Sequence, residues 1–182
     1  MIYRIFVEKK DNLQAKKIKD DLSAQLSIHA DDVRELIRYD VEGLSEEELQ
    51  AAVVNVFSEP PVDNVYFEKV AFDQSYRVFA IAFLDGQYDQ RADSAAQCVQ
   101  LLTRKARPLI KCARVIAVKG VTEEELSRIK KHLINPVESS EVSLEKPKTL
   151  ARAKMQTQDV KEVAGFIAMS DEEIAAYHRQ NG

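Results

Sequence analysis

The chain has 182 residues, 45% of them hydrophobic and 31% charged, and its 30 acidic against 26 basic side chains give a formal net charge of −4. That length accommodates one domain with an appendage and buries roughly two-thirds of the chain surface, so neither disulfide nor metal is needed for stability. The apolar runs are too short for a membrane span, the two cysteines (Cys98 and Cys112) do not make a secreted disulfide scaffold, and the charge excludes an overall nucleic-acid-type basic protein.

In chain order, residues 1–8 (MIYRIFVE) read as a strand and residues 12–28 as an amphipathic helix, with Leu13, Ile18, Leu22 and Leu26 as its apolar positions. Residues 32–43 read as a second strand that stops at Gly43. Residues 45–57 read as a second helix, opened by a capping box between Ser45 and Glu48 and ended by Pro60 and Pro61. Residues 65–71 form a short third strand.

The pattern then recurs. Residues 76–84 (YRVFAIAFL) are a strand, 89–107 a long helix and 110–120 a strand ending at Gly120. A further helix follows Thr122-Glu123-Glu124-Glu125-Leu126. GVTEEEL lies 77 positions after GLSEEEL, and YRVF lies 73 positions after YRIF. The difference of four fits a longer first loop in the second half. Similar caps are common on unrelated helices, but several matches in one order point to an internal duplication. The expected fold is α+β, with two strand-helix-strand-helix-strand halves (about 1–71 and 75–147) related by a pseudo-twofold axis, helices on one face of the sheet. Residues 148–182 have few large apolar side chains and read as the start of a linker. Residues 158–166 are a short helix or turn, and Ser170-Asp171-Glu172-Glu173 opens a short helix through Tyr177.

The least ordinary stretch is LDGQYDQRADSAAQC, residues 84–98. It sets Gln87, Asp89, Gln90, Arg91 and Asp93 between a strand and a helix, where polar groups converge on ligands and helix N-termini favour anions. Ala92, Ala95 and Ala96 would keep that helix slim enough for another surface to approach. The bland alternative is a solvated turn capped by Asp89 or Asp93. Between Asp93 and Glu123 the charged residues are all basic (Arg104, Lys105, Arg107, Lys111, Arg114 and Lys119), which makes a local field for a phosphate or acidic partner, or simply complements a helix end. Cys98 and Cys112 read as buried apolar residues. His29, His132 and His178 stand too far apart to suggest zinc, and no common nucleotide loop or hydrolase elbow is present. The residues alone describe a non-catalytic module with no metal site.

GQYDQRADSAAQC, RYDVEG, FSEPPVDNVY and VAGFIAMSDEE together resemble the N-terminal region of the large, single-chain phosphoribosylformylglycinamidine synthases, over the whole of residues 1–182. The family enzyme is a cytoplasmic ligase and glutamine amidotransferase of purine synthesis that uses ATP and magnesium. The resemblance implies a fused, ferredoxin-like pair of copies of the small subunit found in multi-subunit forms, followed by a linker. It implies a structural and coupling role between the synthetase and glutaminase domains of the same polypeptide, helping to enclose the route for ammonia. It places Gln87, Asp89, Gln90, Arg91 and Asp93 facing the synthetase active site. Neither catalytic domain's motifs lie in this sequence, so no catalytic residue and no cofactor is expected in it, no nucleic-acid or membrane partner, and a homodimer is allowed. The alternative is a free-standing ferredoxin-like module that binds a small anion or an acidic protein.

Overall fold

The computed structural model describes residues 1–151 and 165–181. The chain divides into two compact units, Met1–Ala151 and Arg152–Gly182. The first unit is α+β, built on a six-stranded antiparallel sheet. Its elements are β1 (Ile2–Lys9), α1 (Leu13–Leu26), β2 (Asp32–Glu42), α2 (Glu46–Ala52), β3 (Asp63–Phe67), β4 (Tyr76–Phe83), α3 (Gln90–Thr103), β5 (Leu109–Lys119), α4 (Glu123–Leu133) and β6 (Ser139–Val142). No helix among the described residues is long and apolar enough to cross a membrane.

The sheet order is β3-β1-β2-β5-β4-β6, so β2 and β5 are the central pair and each is flanked by the strand that precedes it in the chain. Matching β1, β2, β3 with β4, β5, β6 makes the order read the same from either edge. The spacing of 77 residues runs through most of this correspondence. It relates the helix caps Asn12 and Asp89, the left-handed helix ends Ser27 and Arg104, the turns at Gly43 and Gly120, and the capping boxes of α2 and α4. Leu49 and Leu126, one residue past each box, are both buried.

The first strands correspond differently from the YRIF–YRVF match. Ile5 stands opposite Tyr39, and Phe79 stands opposite Ile116, which lies 77 residues after Tyr39. Phe79, not Val78, is therefore the counterpart of Ile5, and the extra loop is three residues rather than four. A one-residue slip turns every side chain to the other face. Accordingly Tyr3 packs on the helix-bearing face, whereas the Tyr76 hydroxyl donates to Asp32 on the opposite face.

All four helices of this unit lie on one face, in two pairs. Ile18 and Leu22 of α1 join Leu126 and Ile129 of α4 over Val33, Phe79, Ile116 and Val118. Leu49 and Ala52 of α2 join Ala95 and Val99 of α3 over Ile5, Tyr39 and Val41. Ala92, Ala95 and Ala96 are thus buried inward and are not offered to an approaching surface. Residues 53–57 continue α2 as a π turn, a wider winding that brings Phe57 onto Tyr39 with ring centroids 4.9 Å apart.

The opposite face carries a smaller cluster of Phe6, Leu36, Ala80, Ala113 and Val115, flanked by Val70 and Phe72. Residues 143–150 cross this face. Arg4 donates to the Leu144 and Glu145 carbonyls at 2.5 and 3.1 Å while forking onto Asp40 at 2.6 and 2.9 Å, and Arg38 donates to the Ser143 carbonyl at 2.9 Å. The Leu150 amide then donates to Glu42 at 2.7 Å. These bonds satisfy charges that would otherwise be stranded in a low dielectric.

Several boundaries differ from expectation for local reasons. The third strand begins at Asp63 and stops before Glu68, whose positive φ of 63° breaks the extended run. The long helix ends at Thr103 because Arg104 adopts φ 56°. In the second unit a 3-10 turn spans Phe166–Ala168 and α5 spans Asp171–Asn181, running past Tyr177. Its start is capped reciprocally, with Ser170 N–H donating to Glu173 at 2.8 Å. The expected helix or turn at 158–166 falls outside the described residues except for its end.

Candidate functional site

The two helix pairs leave the middle of the sheet uncovered, and an open cleft of about 670 Å³ lies there. Its floor is Val7, Ile37, Ile81 and Cys112 from the four central strands. The first turns of α1 and α3 form two of its walls through Asn12, Gln14, Asp89 and Arg91, and Glu138 and Ser139 lie on another side. Clefts of this size with an apolar floor and a few convergent polar groups suit a small organic ligand.

Charge enters this cleft from three strands and a helix. Glu35 lies on the helix-facing side of β2 between Val33 and Ile37, and its side chain is nearly buried. Arg114, from the neighbouring strand, donates its Nε–H to Glu35 at 2.6 Å. Lys9 at the far end pairs with Asp63 at 2.9 Å. Asn12 donates to the Glu35 carbonyl at 2.7 Å while its side-chain oxygen caps α1 on Ala15 N–H, so it ties the helix start to β2.

Arg91 differs from the other two cations. It is exposed, and among the described residues no carboxylate lies within the 4.0 Å ion-pair distance of its guanidinium. Partial burial works against its charge, but the Tyr39 hydroxyl, with Cys112 and Asp89 adding to it, holds its pKa above the ordinary guanidinium value. Burial likewise raises the Tyr39 phenol, against the pull of Arg91. Cys112, next to Tyr39 across the β2–β5 ladder, has its thiol pushed far up by burial, with Asp89 adding to the effect. Such a thiol stays protonated and lines the floor as an apolar group, not a nucleophile.

The five residues singled out in the sequence separate. Asp89 and Arg91 reach the cleft. Asp89 also caps α3, accepting from Ala92 N–H at 3.0 Å. Gln87 donates its amide to the Leu84 carbonyl at 3.0 Å in the turn at Gly86 and has an exposed side chain, as does Gln90. Asp93 turns away from the cleft into a local cluster, accepting from Tyr88 at 2.9 Å, Gln97 at 2.8 Å and Arg107 at 2.5 Å. The Tyr88 and Arg107 bonds hold the Asp93 carboxyl below its usual range.

The basic interval between residues 93 and 123 is largely neutralised in place. Lys105 pairs with Glu48, Arg107 with Asp93, Arg114 with Glu35 and Lys119 with Asp73. Cys98, expected inside, is exposed on α3. His132 pairs with Asp21 at 2.7 Å and His29 meets Ser23 at 3.1 Å, and no three potential metal ligands are grouped among the described residues.

Sequence reading missed Glu35 and, as a cleft residue, Arg114. Both were signalled: each interrupts an alternating apolar series, Val33-Glu35-Ile37-Tyr39-Val41 and Ile110-Cys112-Arg114-Ile116-Val118. The sequence matches no family model and no curated protein.

Proposed function

We propose that this chain is the N-terminal structural and coupling domain of a phosphoribosylformylglycinamidine synthase, which amidates formylglycinamide ribonucleotide with glutamine and ATP. On this reading the first unit is a duplicated, ferredoxin-like pair of halves. It bridges synthetase and glutaminase domains and helps enclose the ammonia route, since ammonia released to water would protonate and lose its nucleophilicity. Residues 148–182 begin the linker.

The observation that carries the reading is positional. The motif at residues 86–98 opens α3 at the rim of the cleft, with Asp89 and Arg91 in the cleft wall and Gln87 and Gln90 exposed beside it. The matching point in the first half, around Asn12, carries no such motif, so one half presents this loop to a partner. The palindromic strand order supports the duplicated-halves part of the reading. The chain's own contribution is to position and enclose, and alone it neither hydrolyses glutamine nor consumes ATP.

The test is complex formation. The chain is mixed with a single-chain enzyme of that family lacking its own N-terminal region, and the mixture is resolved by size-exclusion chromatography with light scattering. A one-to-one complex supports the proposal. Separate elution at micromolar concentrations of both contradicts it.

A further inference from the structure

Positions related by the 77-residue spacing line the cleft from both halves, yet they carry different chemistry. Asn12 corresponds to Asp89, Gln14 to Arg91, Glu35 to Cys112 and Ile37 to Arg114. A cavity left over between two similar halves would be electrically even-handed. This one has Arg91 at one wall, the Glu35–Arg114 pair in the middle and an apolar floor between them.

Of the three cations, Lys9 and Arg114 already hold carboxylates, at 2.9 and 2.6 Å. Among the described residues Arg91 has no carboxylate within ion-pair distance, and the neutral hydroxyl of Tyr39 lies beside it. A guanidinium presents a fork of N–H donors that fits a carboxylate with two parallel hydrogen bonds. Beyond it lie Cys112, Ile37 and Ile81, which offer an apolar body an apolar surface. We propose that the cleft binds a small organic carboxylate, its head on the Arg91 guanidinium and its apolar body over Ile37, Ile81 and Cys112. Asp89 and Glu35 repel a second negative charge there, so a monoanion fits better than a polyanion. This inference rests on the cleft alone and stands whether or not the chain belongs to a larger synthase.

The probe is 2-naphthoate, a fluorescent carboxylate with an apolar body, added to the full 182-residue chain, which contains no tryptophan to compete with its emission. Saturable one-to-one binding is expected, with backbone amide shifts in ¹⁵N NMR concentrated at residues 35–39, 89–92 and 112–114. Arg91→Ala should weaken binding about ten- to a hundredfold, the loss that follows removal of a charge-assisted pair. Arg91→Lys should recover only part of it, because an ammonium lacks the fork. Lys17→Ala, an exposed cation on α1, should bind as the unaltered chain does. Thermal melts of all variants establish that each is folded. Non-saturable binding, shifts centred elsewhere, an Arg91→Ala variant that binds normally, or inorganic phosphate binding as tightly as naphthoate would each overturn the proposal.

Discussion

Ile37 on β2 stands directly opposite Arg114 on β5, and 77 residues separate them, so each is also the other's counterpart in the correspondence between the two halves. The pair therefore marks the point in the sheet about which that correspondence turns. An apolar side chain faces a guanidinium there, and the guanidinium reaches past Ile37 to Glu35. The sheet's centre is consequently polar on one side only, and the open cleft sits on it.

Removing Arg114 should expose the cost of that arrangement. Arg114→Leu leaves the nearly buried Glu35 carboxylate without its charged partner and should destabilise the chain by about 1 kcal/mol, discounted because the arginine side is 44% exposed. Adding Glu35→Gln should recover part of the loss. A double-mutant cycle from urea unfolding measures the coupling, and additive single effects would show that the pair contributes nothing.

The two capping boxes should behave alike. Ser45→Ala and Thr122→Ala each remove an acceptor for an otherwise unpaired helical N–H and should cost about 1 kcal/mol. Leu49→Ala and Leu126→Ala should cost more, about 2–4 kcal/mol each, with the larger loss at Leu49, which is 2% exposed against 7%. Denaturant midpoints at unchanged slope give both comparisons.

On the other face, the side chains of Arg4 and Asp40 are 3% and 4% exposed and hold each other in a two-bond fork. Arg4→Met should cost about 3 kcal/mol, because it leaves the buried Asp40 carboxylate with only its longer contact to Arg38, at 3.4 Å, and releases two carbonyls of residues 143–150. The triple variant Arg4→Met with Asp40→Leu and Arg38→Met, which leaves neither the carboxylate nor Arg38 unpaired, should be more stable than Arg4→Met alone. Amide exchange at residues 144–146 should rise in both, which separates loss of the crossing segment from loss of the charge pair.

Tyr76 supplies an alkaline signature. Its hydrogen bond to Asp32 pushes the phenol up to about 12, with burial adding to the effect. The folded state thus keeps this proton more tightly than the unfolded chain, whose tyrosines titrate near about 10. The stabilisation is complete below about pH 10 and is lost as the pH rises towards about 12. Unaltered chain and Tyr76→Phe should differ in urea midpoint at about pH 8 and converge by about pH 12. A constant gap across that range would refute the assignment.

Much of the fold was legible because its signals are local. Glu48 reaching back to Ser45, and Glu125 to Thr122, announce helix starts in residue types alone. The alternation around Leu36 and Val115 likewise announces central strands. The register of β4 was not legible, because YRVF resembles YRIF at a spacing that places Tyr76 on the wrong face, and only the ladder to β5 decides between neighbouring registers. The site was half legible. Arg91 stood out in an unusual loop, but its separation from Asp93 depends on Arg107, fourteen residues further along the chain. Glu35 and Arg114 meet only through strand pairing across 79 residues.

Under the proposed function this chain couples ammonia release to its use, so glutamine-dependent synthesis should depend on its presence. A family enzyme lacking its N-terminal region is assayed with either glutamine or ammonium as nitrogen source, with and without this chain. The chain should restore formylglycinamidine ribonucleotide formation from glutamine and change formation from ammonium far less. Arg91→Ala, with its stability changed by no more than about 0.5 kcal/mol, should restore less. Equal glutamine-dependent synthesis with and without the chain would rule out a coupling role.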